Sequence, residues 1–383
     1  MSAPSKALPA DPAGAMRSIL QRIATGPELS KDLPQEEACA GMRLVLDGRV
    51  DPVQAGVFLI ALRMKRETDE ENRGLLDALR EATRQVTAPV DELIDLADPY
   101  DGFTRTLPAS PFLPAVLAAC GVAALSHGVE SMGPKYGVTH RQVLRAAGLP
   151  VDLEPGEAAA RLGDPRIGWA YLDQEKFAPK LHALTGLRTL IVKRPAITTL
   201  EVLLGPLRGR AKTHLVTGYV HKPYSRVYAL LARHAGFDSA LIVRGVEGGV
   251  IPSLSQAGKV FHYHDGGEES ATDFRPADLG IDQPVRAPRI PGPADAKEEG
   301  DDAAADAAPF DAAAVAKLAA QAGMAALAGG SGPTRDCLVY GAALCLWHLK
   351  RHGSLKDAAA AARAALDSGR ALAHVERVRS VGE

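Results

Sequence analysis

The hydrophobic positions along this chain change their spacing near residue 90. Before that point, apolar residues recur every three or four positions, the spacing of an amphipathic helix. Two helix starts are marked, one by Pro52 behind Asp51 and one by the Thr68–Glu71 pair of a capping box. The pattern predicts an all-helical domain over residues 15–90, and we expect a helical return around residues 170–200 to join it.

Beyond residue 90, short apolar runs alternate with helical segments. Strands are predicted at Leu215–Val220 and Ala240–Val243, separated by a helix over Ser225–His234, and a further strand is predicted at Leu190–Val192. A strand, a helix and a strand in this order imply a parallel sheet. The run Pro114–Leu125 predicts a helix, a turn and a short buried strand.

These elements predict an α/β fold. A small all-helical N-terminal domain precedes a larger α/β domain over residues 91–375, with a central, mainly parallel sheet flanked by helices. Residues 284–309 are polar and rich in proline, so they are predicted to form a mobile linker.

Composition and charge narrow the class of protein. The chain has 383 residues, of which 46% are hydrophobic and 23% charged, enough for two domains with sizeable cores. The net charge is −2, so a polyanion site has to be local. The four cysteines lack CxxC spacing, and no apolar run approaches 18 residues. We expect a cytoplasmic protein with free thiols and no membrane partner.

The loop Ser126–Gly137 follows the predicted strand that ends Pro114–Leu125. It carries glycines, serines and Lys135, the residue types that hold an anion at the carboxyl edge of an α/β sheet. On this loop alone, an ordinary connection between strand and helix is the favoured interpretation. The pair His262 and His264 is predicted to alternate along a strand and not to form a metal site, and His348 is predicted to be a core contact.

At this point the chain resembles the anthranilate phosphoribosyltransferase family, a branch of the glycosyltransferase family 3 fold. The resemblance covers roughly residues 15–375. The segments that carry it occur in the family's order and spacing: Asp51–Arg63, Ala118–Gly137, Leu203–Leu207, Gly332–Asp336 and Asp367–Gly369.

The resemblance implies a site for phosphoribosyl pyrophosphate (PRPP) and Mg²⁺, but this chain departs from the motifs. The family's Gly-Thr-Gly-Gly-Asp turn corresponds to Asp98–Gly102, which places an acid, a proline and a tyrosine at backbone-donating positions. A carboxylate about 4 Å from a phosphate charge is repelled by about 4 kcal/mol at an effective dielectric near 20. Pro99 also lacks an N–H donor.

Other family motifs survive only in part. Near Pro108–Pro111 only Ser110 remains, the magnesium-binding serine by register, and His127 and Gly128 remain of the Lys-His-Gly-Asn-Arg loop. The family's Asp-Glu pair falls on Val250 and Ile251, so Glu247 is the acid left to replace it. Ser110 and Glu247 are therefore the candidate Mg²⁺ ligands. The candidate substrate and phosphate ligands are Asp101, Gly102, Arg105, Ser110, His127, Gly128, Lys135, His182, Lys193 and Arg194.

A basic stretch between Arg188 and Arg226 has eight Lys/Arg against one acid, Glu201. It predicts a phosphate-tracking basic face. The alternative is a solvated surface balanced by the acidic region 265–306. The face comprises Arg208, Arg210, Lys212 and Lys222.

Three functions are compatible with these observations. One is pentosyl (phosphoribosyl) transfer from a sugar phosphate to an unknown acceptor, in which the protein orients reactants and stabilises charge. Another is a non-catalytic nucleic-acid-binding protein, as in the divergent family branch whose Tyr-Asp-Gly turn this chain shares. A regulatory protein that binds a small molecule in the old cleft is a third reading. The departures from the family's motifs argue against anthranilate as substrate. The resemblance also implies a homodimer formed through the helical domain.

Overall fold

The computed structural model describes residues 8–26, 28–291 and 310–381. Most of the predicted linker, residues 292–309, lies outside the described residues. The N-terminal domain consists of four helices: α1 (Pro12–Ile23), α2 (Gln35–Leu46), α3 (Pro52–Lys65) and α4 (Asp69–Glu81). The predicted start signals are confirmed, since Asp51 accepts a hydrogen bond from the Val53 amide and Thr68 and Glu71 complete a capping box.

The α/β domain is built on a seven-stranded sheet with the order β4-β3-β2-β6-β7-β8-β9. The first five strands of that order are parallel, and β8 and β9 are antiparallel. A short parallel pair, β1 with β5, lies apart from it. The strands are β1 (Val86–Thr87), β2 (Glu92–Ala97), β3 (Ala124–Gly128), β4 (Trp169–Asp173), β5 (Leu207–Arg208), β6 (Lys212–Gly218), β7 (Ser239–Val243), β8 (Gly258–His264) and β9 (Ser270–Phe274).

Helices cover both faces of the parallel part of the sheet, so its strands are buried on both sides, whereas β8 and β9 are partly exposed. Along β2, Ile94 and Leu96 belong to one core and Leu93 and Ala97 to the other. The helices are α5 (Leu113–Ala119), α6 (His140–Ala146), α7 (Pro155–Gly163), α8 (Gln174–Phe177), α9 (Pro179–His182), α10 (Thr185–Ile191), α11 (Ile197–Leu200), α12 (Tyr224–His234), α13 (Ala312–Leu327), α14 (Pro333–His348), α15 (Leu355–Asp367) and α16 (Arg370–Val381). The predicted fold class is confirmed.

One predicted strand is wrong. Leu190–Val192 does not pair with the sheet, because residues Thr185–Ile191 form α10, which packs against α3 of the helical domain. Leu190 and Val192 are 80% and 62% exposed. A three-residue apolar run cannot distinguish a strand from the end of a helix. In the part of the chain that the structure describes, no helix combines the length and the apolar character that crossing a membrane requires.

Candidate functional site

The carboxyl ends of the parallel strands gather the predicted phosphate ligands at one edge of the sheet. Asp101 and Gly102 follow β2, and His127 and Gly128 end β3. The others reach the same edge through contacts described below, except Lys193, which is the neighbour of Arg194 in the chain. The predicted set that lies there is Asp101, Gly102, Arg105, Ser110, His127, Gly128, Lys135, His182, Lys193 and Arg194. This edge is where open α/β sheets hold ligands.

Asp98 is the centre of a buried polar network beneath this edge. Its Oδ2 lies 2.6 Å from Nε2 of His140 and accepts the hydroxyl hydrogen of Ser110, while Oδ1 accepts the Val250 amide at 2.7 Å. Burial by itself raises the pKa of the Asp98 carboxyl, but the charge and hydrogen bonds of its neighbours outweigh it and hold the pKa below its ordinary value. Asp98 therefore binds parts of its own chain as a carboxylate.

Tyr100 occupies the interior of the edge. It is 3% exposed, and its hydroxyl lies 2.5 Å from Nδ1 of His127. Nε2 of the same imidazole lies 2.8 Å from Oδ1 of Asp95, although the two atoms are not aligned for a hydrogen bond. Burial raises the pKa of the Tyr100 hydroxyl well above its ordinary value, so this hydroxyl stays protonated. The His127 imidazole is thus held between Tyr100 and Asp95.

Gly102, in the turn after β2, allows another segment of the backbone to approach closely. Gly102 has a φ of +75°, and a Cβ there would lie 2.6 Å from backbone atoms of Gly137 and Val138. Phe103 pairs with Val138 in an antiparallel bridge, and its ring packs on Gly249. The close approach that glycine permits is therefore made by the protein's own backbone.

Glu247 links the loop after β7 to the loop after β2 through hydrogen bonds. Its carboxylate accepts the amides of Thr104 and Arg105 at 2.9 and 3.0 Å, and the Thr106 hydroxyl at 2.8 Å. Lys135 completes the set with an ion pair of 2.8 Å. Burial raises the pKa of Glu247, but the charge of Lys135 and these hydrogen bonds outweigh it and lower the pKa. The charges of Glu247 and Lys135 neutralise each other.

The mouth of this edge is lined by cations. Arg194 donates two hydrogen bonds to Asp101, at 2.9 and 2.8 Å, and remains 44% exposed. Exposed basic residues also follow α10, β2, β6 and β7. We call this set the cationic rim: Arg105, Lys193, Arg194, Lys222 and Arg244. Arg194 is paired with Asp101 and Lys135 with Glu247, so Lys193, Lys222 and Arg244 carry the excess positive charge of the rim.

His182 lies at the β4 end of the same edge, beside Asp173. Burial raises the pKa of the Asp173 carboxyl, an effect that the charges of Arg141 and His182 reduce. Nδ1 of His182 is buried and has no hydrogen-bond partner among the described residues. His182 thus faces the β4 side of the edge, near Arg141 and Asp173.

Two cavities lie at opposite edges of the sheet. A cavity of about 30 Å³, lined by Phe103, Ser110, Val250 and Cys337 among others, is the size of one water molecule. A groove of about 510 Å³ lies at the opposite, amino-terminal edge of the sheet. Its lining includes Glu92, Arg210, His214, Leu349 and Arg351.

The structure does not bring the predicted basic face together. Lys222 lies at the carboxyl edge, whereas Arg208, Arg210 and Lys212 lie at the amino-terminal edge. Arg208 is stacked 4.2 Å from the Phe237 ring centroid and donates to carbonyls at the end of α12, and Lys212 pairs with Asp265 at 2.9 Å. These contacts are local. Basic residues that are close together in the sequence lie at opposite ends of strand β6.

Sequence reasoning missed His140. The Thr139–Gln142 capping box marks the start of α6 and places His140 in its first turn. That signal is local and readable, but the pairing of His140 with Asp98 joins residues 42 positions apart. Only the parallel order of β2 and β3 brings them together.

Comparison with known proteins identifies the family. Residues 17–83 match the model of the glycosyl transferase family helical bundle domain, and residues 104–298, just over half of the chain, match that of the family's a/b domain. The chain is 28% identical over 368 residues to an anthranilate phosphoribosyltransferase of Rhodopseudomonas palustris, covering 95% of this chain and 98% of that protein.

Two further matches agree. An uncharacterized protein of Aquifex aeolicus is 32% identical over 225 residues, and this alignment covers 58% of the chain and 65%, just under two thirds, of that relative. The anthranilate phosphoribosyltransferase of Saccharomyces cerevisiae, solved in complex with PRPP and Mg, has a TM-score of 0.73 and 16% identity, covering 96% and 98% of the two chains, a likeness of fold. With its two domains matched in order, the chain belongs to glycosyl transferase family 3.

Proposed function

We propose that this family member does not bind PRPP at the ancestral donor position and instead binds nucleic acid on the cationic rim. The observation that carries the proposal is the contrast between the interior and the mouth of the carboxyl edge. The interior is filled by the chain's own side chains, and the mouth is exposed and positively charged.

The filled interior argues against a bound sugar diphosphate. Asp98, Tyr100 and Phe103 occupy the turn, and a carboxylate there repels phosphate. The cavity beside Ser110, of about 30 Å³, is far below the roughly 300 Å³ at which small-molecule pockets begin. Pentosyl transfer at this position would require Tyr100 to leave His127 and the loop to open.

The candidate Mg²⁺ ligands do not fit a magnesium ion. The Ser110 hydroxyl donates to Asp98, and the oxygens of Glu247 accept from backbone amides, a hydroxyl and the Lys135 ammonium. Mg²⁺ requires near-octahedral oxygen ligands that are free to coordinate, and an ammonium 2.8 Å from the carboxylate opposes a second cation. We derive no catalytic step through the metal.

The rim supports phosphate binding of a different kind. Its cations project from four separate segments instead of surrounding one pocket, an arrangement suited to successive phosphates of a polymer. Tyr136, 44% exposed, stands at the same edge and offers one ring for base stacking. Since the whole chain is slightly acidic, binding depends on this local field.

The experiment measures binding of a short labelled duplex and of its single strand against salt concentration. We expect the affinity to fall steeply with salt, and we expect reversal of three rim charges, Lys193→Glu, Lys222→Glu and Arg244→Glu, to reduce the log–log slope by about 3. The matched control carries Arg210→Glu and Lys212→Glu at the opposite edge, and should behave like wild type. Equal affinity and slope in the rim variant would overturn the proposal.

We also propose that the chain forms a homodimer through its helical domain. On α3 the side chains of Val53, Val57 and Met64 are 73%, 36% and 74% exposed and fall on one stripe. Leu190 and Val192 extend this apolar surface at the neighbouring α10. An exposed apolar patch of this kind marks a protein interface.

A further inference from the structure

Three histidines converge at the amino-terminal edge of the sheet, away from the site described above. His262 and His264 lie two residues apart on β8 and therefore point to the same face. His348, in the last turn of α14, packs over that face and stacks on His264 at 4.5 Å between ring centroids. One nitrogen from each ring lies within 4.8 Å of the other two.

Some of the ring nitrogens of these histidines are hydrogen-bonded, and others have no hydrogen-bond partner among the described residues. Nε2 of His262 is hydrogen-bonded to the Thr272 hydroxyl at 3.0 Å, and Nε2 of His348 to the Ser239 hydroxyl at 2.8 Å. The Ser239 hydroxyl also contacts Nδ1 of His214 at 2.7 Å. Nδ1 of His262 and Nδ1 of His348 are both buried and lack a hydrogen-bond partner among the residues that the structure describes.

Unpaired buried polar atoms are rare in folded proteins, and each one calls for an explanation such as an ion. In metal sites, a ligating histidine characteristically has its second ring nitrogen hydrogen-bonded, which fixes the orientation of the ring. His262 and His348 show this arrangement, with one nitrogen held and the other unpaired.

We propose that His262, His264 and His348 form a binding site for one Zn²⁺ ion. Three imidazoles with a water molecule in the fourth position are an established zinc ligand set. Nitrogens bound at about 2.1 Å in tetrahedral geometry are about 3.4 Å apart, so the rings need to move by about 1 Å. His262 and His264 are only half-buried, which leaves the ion a path from solvent.

The donor set favours a zinc-like ion over Mg²⁺ or Ca²⁺. All three ligands are imidazoles, which suit zinc and its neighbours, whereas the alkaline-earth ions require oxygen ligands. The strand position predicted for His262 and His264 is confirmed, and the third ligand comes from a helix 84 residues further along the chain.

The test uses the untagged full-length chain, freed of metal with a chelator and titrated with Zn²⁺ in competition with a chromophoric chelator. We expect one equivalent to bind. His264→Ala and His262→Ala should each weaken binding by about 100-fold, and Ser239→Ala, which removes only an outer contact, by about 10-fold. Circular dichroism of the metal-free variants establishes that they are folded.

The matched control is His221→Ala, a histidine at the opposite edge of the sheet, which should bind Zn²⁺ like wild type. A second readout is Trp347, whose ring centroid lies 5.2 Å from that of His262. Co²⁺ should quench its fluorescence in wild type and not in His264→Ala. Zinc binding by wild type no tighter than by His264→Ala, or Co²⁺ quenching that persists in that variant, would overturn the proposal.

Discussion

The hydroxyl of Tyr100 lies 2.5 Å from Nδ1 of His127, and both side chains are almost fully buried. Tyr100 stands in the turn that corresponds to the family's glycine-rich motif, and His127 ends the neighbouring strand. The sequence resemblance assigns both segments to the family's PRPP motifs, so their contact is part of the proposal that PRPP is not bound there. In this chain the two side chains contact each other.

Removing the Tyr100 hydroxyl should destabilise the fold. Tyr100→Phe leaves a buried nitrogen of His127 without its partner, and an unsatisfied buried polar atom costs about 1–3 kcal/mol. Urea unfolding measures the change in the free energy of unfolding. The control is Tyr136→Phe, whose hydroxyl makes an exposed bond to Thr189 and should matter by less than about 0.5 kcal/mol. Equal effects of the two substitutions would contradict the buried contact.

Asp98 should make stability depend on acid pH. Its pKa is lowered in the folded state, so its stabilisation is fully present above the unfolded value, about 3.9, and is lost as pH falls through the folded value. Asp98→Asn should cost about 3 kcal/mol near neutral pH because it breaks a buried ionic contact. The gap between wild type and variant should narrow below about pH 3.9.

The control for that titration is Asp91→Asn, since the Asp91 side chain is 82% exposed. Its difference from wild type should stay small at every pH. A gap for Asp98→Asn that is independent of pH down to acid unfolding would show that the Asp98 carboxylate is not stabilised by His140 and Ser110.

Charges placed on the α3 stripe should separate the proposed dimer. We expect Val53→Lys combined with Met64→Lys to reduce the mass measured by light scattering from two chains to one, because the apolar surface would then bury two ammonium groups. Leu318→Lys on α13, outside the stripe, is the control and should leave the mass unchanged. A wild-type mass of one chain would contradict the dimer.

The fold could be predicted from sequence where the signals are local. The capping box at Thr68, the Pro after Asp51 and the strand–helix–strand unit around α12 each specify their element without distant contacts. The strand predicted at Leu190–Val192 was wrong because the helix there depends on packing against α3. A short stretch of sequence does not reveal that packing.

That the candidate residues gather at one edge of the sheet could be predicted, but the contacts between them could not. Parallel strands bring their carboxyl ends together, so the positions of His127 and Asp101 followed from topology. Which groups pair with one another depends on distances between remote segments, as for Asp98 with His140 and Lys135 with Glu247. The predicted basic face shows the same limit, because neighbours in sequence along β6 end up at opposite edges of the sheet.

The most direct test of a filled donor site is a titration of the chain with PRPP and Mg²⁺, followed by thermal unfolding. A ligand present at about 100 times its Kd stabilises the folded state by about 2.7 kcal/mol. We expect no heat of binding and no shift in Tm, while an active anthranilate phosphoribosyltransferase measured in parallel should show both. A saturable, Mg²⁺-dependent stabilisation of this chain by PRPP would contradict the account.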